Sequence, residues 1–275
     1  MSVLGKFAHE VASAPHYRHR PIATLRYAYA KWVFHRARQN DPLRFLSDLG
    51  IDPGVALDGF DHWRPDLERA ISAVQSANSG QGGIGFNDGL ILYGLARALR
   101  PAYVIETGVA AGISTSFFAA ALIENKTGHL FSIEFPAGAT HSAAASATPA
   151  PLDDGSVYSW RGLGVGWAIP PALRNRIAER HQLVLDDART ALPRLLSSLS
   201  QIDIFFHDDL HTPDHMLWEY ESVWPRLRIG GVLISDDVNH GWIEFCRRHN
   251  LRGAAFNNLD RLCALRKPGR EQARR

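Results

Sequence analysis

The sequence predicts an α/β fold: a doubly wound, mostly parallel sheet with a C-terminal antiparallel hairpin and an N-terminal helical extension. Three observations predict it. Five short runs are nearly continuous in apolar residues, and segments of helical character separate them. Strands of that kind are buried on both faces, as in a parallel sheet covered by helices. The chain's tail departs from the pattern, because its last two β-rich runs are too close together to hold a crossover helix and must pair antiparallel.

Residues 1–80 are expected to form the helical extension and residues 81–275 the main domain. The pattern is helical from Ala23 to about Gln39, and Asp41-Pro42 opens a short helix that stops at Gly50. GQGGIGF at 80–86 reads as a linker or hinge, since glycine so dense fixes no structure. FNDGLILYGLARALRP then gives a capped amphipathic helix ended by Pro101. The expected strands are AYVIET (102–107), HLFSIEF (129–135), QLVLDD (182–187), IDIFFHD (202–208) and GVLISDD (231–237). Helices are expected over 114–125, 171–180, 190–199 and 213–227, with a last one around 241–249. AAFNN and RLCALRK, separated by Leu259-Asp260, form the closing hairpin. The stretch at 136–156 is too poor in large apolar residues to be core and is placed where a loop over a site would lie.

Bulk properties narrow the function. At 275 residues and 45% hydrophobic, the chain can bury a full core. No apolar run approaches the roughly 20 residues of a membrane span, and MSVLGKFAHEVASAPHY lacks the apolar centre of a signal peptide, so a cytoplasmic location is expected. Cys246 and Cys263 lack metal-site spacing and read as buried thiols. A net charge of +2 gives no support to nucleic-acid binding. Residues 1–40 nevertheless carry seven Lys/Arg against Glu10 alone, a net +6 that leaves −4 on the remaining 235 residues. With Tyr17, Tyr27, Tyr29, Trp32 and Phe34 interleaved, this arm suits a weak contact with an anionic membrane surface. The other reading is a helix that packs its aromatics on the core or on a second subunit of a homo-oligomer.

Ligands of open α/β sheets bind outside the carboxyl ends of the strands. Here each of those ends carries acid: Glu106, Glu134, Asp186 or Asp187, Asp208, and Asp236 with Asp237. The sum is a negative bowl. In ETGVAAGIST, Glu106 stands where the first glycine of a G-x-G-x-x-G dinucleotide fingerprint would be, so a pyrophosphate would meet a carboxylate. No G-x-x-x-x-G-K-[ST] loop is present for a triphosphate. A cofactor with a cationic centre and an ammonium group fits better, and S-adenosylmethionine has both, plus ribose hydroxyls suited to an acid at the second strand's end.

VIETGVAAGISTSFFAAAL resembles motif I of class I S-adenosylmethionine-dependent methyltransferases, which have a Rossmann-like fold. LFSIE, LDDARTALPRLL, IDIFFHDDLH and LRIGGVLISDDV follow in the order of that family. The resemblance covers about residues 86–267, and it is greatest to the small-molecule O-methyltransferases, many of them metal-dependent. Where many relatives end the fourth strand D-G-D-H, this chain reads Asp208-Asp209-Leu210-His211, so the glycine and second Asp differ. The resemblance implies that Gly108, Ala110 and Gly112 form the turn under the methionine part of the cofactor, with Glu106 beside it. Ser114 would cap the following helix, Glu134 would take the ribose hydroxyls, Asp187 and Ala188 would meet the adenine, and Asp208 would lie near the ammonium group.

Asp236 and Asp237 are neighbours and can converge only where their strand ends. With Asp208 at the adjacent strand end, three carboxylates would form a hard-oxygen site for Mg2+ or another divalent ion. The alternative is that one of the pair caps the next helix while Asp208 serves only the cofactor. His211, three residues beyond Asp208, is the candidate general base, as a neutral imidazole near pH 7. His207, His215 and His240 are weaker candidates. His207 is expected to face the sheet packing and His215 to lie in a helix. Trp160, Arg161 and Trp167 read either as lining of the cofactor or substrate entrance or as core. The expected activity is O-methylation of a small hydroxylated molecule with divalent-metal assistance. The rivals are a metal-independent methyltransferase, a nicotinamide-dependent oxidoreductase and a non-catalytic binding protein.

Overall fold

A computed structural model describes residues 39–78, 83–135, 164–256 and 262–269, together with Thr24, Ala28 and Tyr29. The helix expected over 23–39 and the loop expected at 136–156, with Trp160 and Arg161, lie wholly or largely outside them.

Among the described residues four helices precede the sheet, the first three being α1 (Pro42–Asp48), α2 (Pro53–Ala56) and α3 (Phe60–Asn78). Asp41 and Asp52 each cap their helix by accepting from the backbone N–H two residues on, with proline at the first helical position, where no amide hydrogen is needed. Helix α4 (Phe86–Leu99) starts with the Asp88 carboxylate reaching back 2.9 Å to the Gly85 N–H. Then follow β1 (Tyr103–Thr107), α5 (Ile113–Asn125), β2 (His129–Glu134), α6 (Pro171–Ile177), β3 (His181–Leu185), α7 (Ala188–Ser198) and β4 (Ile202–His207). The chain closes with α8 (Pro213–Val223), β5 (Leu227–Asp236), α9 (His240–Arg248), β6 (Ala254–Phe256) and β7 (Leu262–Arg266).

The seven strands lie in the order β3-β2-β1-β4-β5-β7-β6. Strands β1 to β5 are parallel, and β7 runs antiparallel to both β5 and β6, as expected for a doubly wound sheet with a closing hairpin. The order reverses between β1 and β4, which is the switch point where such sheets open a crevice. Every residue of β4, the central strand, is buried, which explains why its sequence shows no alternation.

One hydrophobic cluster joins α1 to α6 to one face of the sheet, and a second joins α7, α8 and α9 to the other. The helices before β1 therefore share a core with the sheet: Phe60 stacks on Phe117 at 6.2 Å and meets Tyr93 edge-on at 5.0 Å. Helix α3, 19 residues long, was not drawn from the sequence, because Pro65 and a Gly59-Phe60-Asp61 start obscure its period. Both cysteines are buried free thiols. Among the described residues no helix is long and apolar enough to cross a membrane.

Candidate active site

The switch point is built by two chain segments that touch backbone to backbone. Gly108 donates to the Ile133 carbonyl at 2.9 Å, continuing β1 along β2, and the Asp208 N–H donates to the Thr107 carbonyl at 2.8 Å, continuing β4 along β1. Three of the five residues in the turn after β1 have a left-handed backbone: Gly108 (φ 83°), Ala110 (φ 49°) and Gly112 (φ 90°). For Gly108 the need for glycine is strict, since a Cβ would sit 1.9 Å from the Asp208 carbonyl oxygen. For Gly112 the obstacle is Ile169, 2.5 Å from a Cβ, in a segment that docks on the turn through Gly166 N–H to Ala110 carbonyl and Ala168 N–H to Ala111 carbonyl bonds. Both glycines thus answer to the packing of the protein itself.

The helix that follows differs from expectation at its start. Its N-cap is Gly112, with no side-chain cap, and Ser114 lies inside the first turn, buried. The Ser114 hydroxyl instead faces Glu106. Glu106 is fully buried at the end of β1, where its Oε1 accepts from Thr115 Oγ1 at 2.5 Å and Ser132 Oγ at 2.6 Å. Burial pushes its carboxyl up to about 7, against those hydrogen bonds, which favour the charged form; the charge of Asp208 adds to the rise. A proton held there to about pH 7 stabilises the fold below the ordinary glutamate range near 4.5 and ceases to do so as pH rises through 7. Glu106→Gln, which keeps the neutral shape, is expected to gain about 2 to 3 kcal/mol over the wild type between pH 4.5 and pH 8. Urea unfolding at the two pH values checks this; parallel pH profiles for the two proteins would refute it.

Glu134, at the end of β2, is half-buried, and its Oε2 accepts from both Val109 N–H (2.6 Å) and Ala110 N–H (2.7 Å). Burial raises its pKa, and these two backbone donors oppose the rise. The expected ribose acid therefore also holds the turn after β1, with one oxygen engaged by the protein. At the end of β3, Asp187 is the N-cap of α7, accepting from Arg189 N–H at 2.8 Å, with Ala188 buried behind it. The charge of Asp208 acts on both Glu106 and Glu134, and that of Asp209 on Glu134, so acids from three strand ends lie near one another. A field of that sign at the switch point favours a cationic ligand.

The acids of the second half group differently from the sequence reading. Asp208 and Asp236 come together with His211, each offering a ligand atom within 4.8 Å of the others, and Asp237 is not in that group. Asp237 has a left-handed backbone (φ 66°), which turns its carboxylate outward to place Oδ2 3.3 Å from His211 Nδ1. The other ring nitrogen, Nε2, faces Asp208 Oδ1 at 3.6 Å. Burial lowers the pKa of His211, but the hydrogen bond and charge of Asp208 and the charges of Asp237 and Asp209 outweigh it, so the net shift is upward. The bare acids thus work against the neutral imidazole expected of His211. Two carboxylates and an imidazole are a fit donor set for a divalent ion; oxygen alone suits Mg2+, and the imidazole moves the preference toward Mn2+ or its transition-metal neighbours. The cap that the alternative reading gives to Asp236 or Asp237 belongs to Asn239, whose Oδ1 accepts from Gly241 N–H at 2.8 Å.

Behind this group lies a network that sequence reasoning passed over. His207 is fully buried, as its place in β4 implied, with Nδ1 2.5 Å from Glu219 Oε2. Glu219 also accepts from Thr107 Oγ1 at 3.1 Å, and His215 on the same helix lies between Glu219 and Asp209. The i,i+4 spacing of His215 and Glu219 in a helix is the signal that could have found it. His240 is the first residue of α9, and Trp167 is half-buried with its indole nitrogen enclosed.

Residues 105–238 match a family model described as a methyltransferase domain. That segment runs from the middle of β1 to the residue after Asp237 and contains every acid of the site. Among curated proteins none matches the chain significantly. Three solved structures are similar in outline. An O-methyltransferase from Bacillus cereus, in complex with SAH, is 14% identical over 74% of this chain and 91% of that one, with a TM-score of 0.49. The O-methyltransferase TomG from Streptomyces achromogenes, involved in tomaymycin synthesis and solved with SAM, is 17% identical over 74% and 89%, with a TM-score of 0.47. The SAH-bound methyltransferase PaMTH1 of Podospora anserina is 11% identical over 74% and 88%, with a TM-score of 0.48. Residues 105–238 are a methyltransferase domain.

Proposed function

We propose that the protein moves the methyl group of S-adenosylmethionine to an oxygen of a small hydroxylated molecule, assisted by a divalent ion. The observation that carries this reading is the convergence of Glu106, Glu134 and Asp208 on the turn 108–112 at the switch point, inside the matched domain. A sulfonium and an ammonium suit that negative field, and Glu134, at the end of β2, would accept from ribose hydroxyls through the oxygen the turn does not use. Glu134→Ala is expected to weaken S-adenosylmethionine binding by about 1 to 3 kcal/mol, through the lost ribose bonds and the loosened turn together. An unchanged dissociation constant would remove Glu134 from the cofactor site.

Asp208 and Asp236 would hold the ion, with Asp237 and His211 beside them. A divalent ion there supplies a Lewis acid that lowers the pKa of a substrate hydroxyl. His211, between Asp208 and Asp237, would accept the hydroxyl proton, and its neighbouring carboxylates would stabilise the imidazolium that results. The site asks for a substrate with a free hydroxyl small enough to reach the cleft. The test is methyl transfer from labelled S-adenosylmethionine to a panel of phenols and glycosides, with and without EDTA. Turnover that EDTA abolishes, with the methyl donor still bound, is the expected result. Full turnover in excess EDTA would leave a metal-independent methyltransferase of the same fold.

A further inference from the structure

Asp209, His215 and Glu219 form a second group that the methyl-transfer reading does not use. His215 and Glu219 are one turn apart on α8 and so share a face, and Asp209 comes to them from the turn after β4. His215 Nε2 lies 3.4 Å from Asp209 Oδ2 and 3.5 Å from Glu219 Oε1. Both separations exceed a normal N–H···O hydrogen bond. His215 Nε2 and Glu219 Oε1 are buried atoms with no hydrogen-bond partner among the described residues, on side chains only 5% and 0% exposed. Such atoms are costly to bury unless something joins them.

A metal ion joins donors at that separation. Two ligands each about 2.1 Å from a tetrahedral ion stand about 3.4 Å apart, and the three donor atoms here all lie within 4.8 Å of one another. The surroundings are those of a ligand sphere. The second oxygen of Glu219 is held by His207 Nδ1 at 2.5 Å and by Thr107 Oγ1 at 3.1 Å, the outer support that fixes a metal-binding carboxylate. We infer that Asp209, His215 and Glu219 bind a divalent transition-metal ion of the Zn2+ type, with His207 and Thr107 as positioning residues. The imidazole and the small, buried ligand set favour such an ion over Mg2+, which keeps several waters. It would tie the turn after β4 to α8 and thereby fix Asp208, the neighbour of Asp209, in the cleft. This site does not rest on the proposed methyl transfer.

The competing arrangement is an imidazolium shared by two carboxylates, with a proton where the ion would be. Zinc titration of the full chain, made metal-free and carrying Asp236→Asn to disable the first group, distinguishes the two by calorimetry. One tight equivalent is expected, with the Zn2+ anomalous peak in a crystal lying about 2.0 to 2.2 Å from the three donor atoms. Adding Asp209→Asn, at a side chain that is partly exposed and outside the core, should weaken that equivalent by about 100-fold or more. His215→Gln should do the same. No zinc heat from the Asp236→Asn chain, heat unchanged by Asp209→Asn, or an anomalous peak elsewhere would overturn the inference. None of these readouts involves a methyl donor or turnover, so they stand apart from the outcome of the transfer assay.

Discussion

Gly108→Ala is expected to cost about 4 kcal/mol or more of stability, and cofactor binding with it. The added methyl would lie 1.9 Å from the Asp208 carbonyl oxygen, 2.4 Å from its carbon and 2.9 Å from the Asp209 nitrogen, at a φ of 83°. None of these is a side chain that can swing away. Each belongs to a backbone pinned by the Gly108 to Ile133 and Asp208 to Thr107 hydrogen bonds, so relief requires β1 and β4 to part at the switch point. Gly83→Ala provides the comparison, because φ there is 92° but nothing lies within 4 Å of the new Cβ. It should cost only the conformational penalty, about 1 to 2 kcal/mol. Equal urea midpoints for the two variants would mean that the close approach of β1 and β4 is not what demands glycine at 108.

His211→Ala is expected to slow turnover by about 100-fold to 10,000-fold, the range for losing a general base. The position of the ring makes a second measurement informative. Its nitrogens face Asp208 and Asp237, and the same ring is grouped with Asp208 and Asp236 as a ligand candidate. As a base, its removal leaves bound metal in place; as a ligand, its removal takes the metal away. Metal content of the purified variant, read beside kcat, separates these roles, and retention is the expected result. In the metal-free chain the imidazole should titrate above its ordinary 6.5, because the nearby carboxylates outweigh burial. A proton NMR titration checks the direction, and a value below 6.5 would show that the carboxylates lie farther from the ring than 3.3 and 3.6 Å.

The sheet was legible because its central strands are buried on both faces and so carry near-continuous apolar runs, which few other environments permit. The acids at the strand ends were legible for the converse reason, since carboxylates that interrupt such runs must mark their limits. Pairing between distant residues was less so. Alternation places Asp236 and Asp237 near one strand end but is silent on the left-handed turn at Asp237 that sends its carboxylate to His211. Ser114 looks like a helix cap in sequence, yet the turn enters the helix through Gly112, and the hydroxyl is spent on Glu106. The need for glycine at 108 arises from Asp208, a hundred residues away in the chain, and no local pattern records it. Glu219 was invisible for the same reason: a glutamate in a helix is ordinarily solvated, and only the fold turns this one onto His207 and His215.

The central claim is that the acidic switch-point cleft receives S-adenosylmethionine, and calorimetry with S-adenosylmethionine and with NAD on the wild-type chain tests it most directly. A site bounded by Glu134 and Asp208, with Glu106 buried beneath it, should give saturable heat with the sulfonium cofactor and none with the pyrophosphate one. Saturable heat with NAD and none with S-adenosylmethionine would contradict the account.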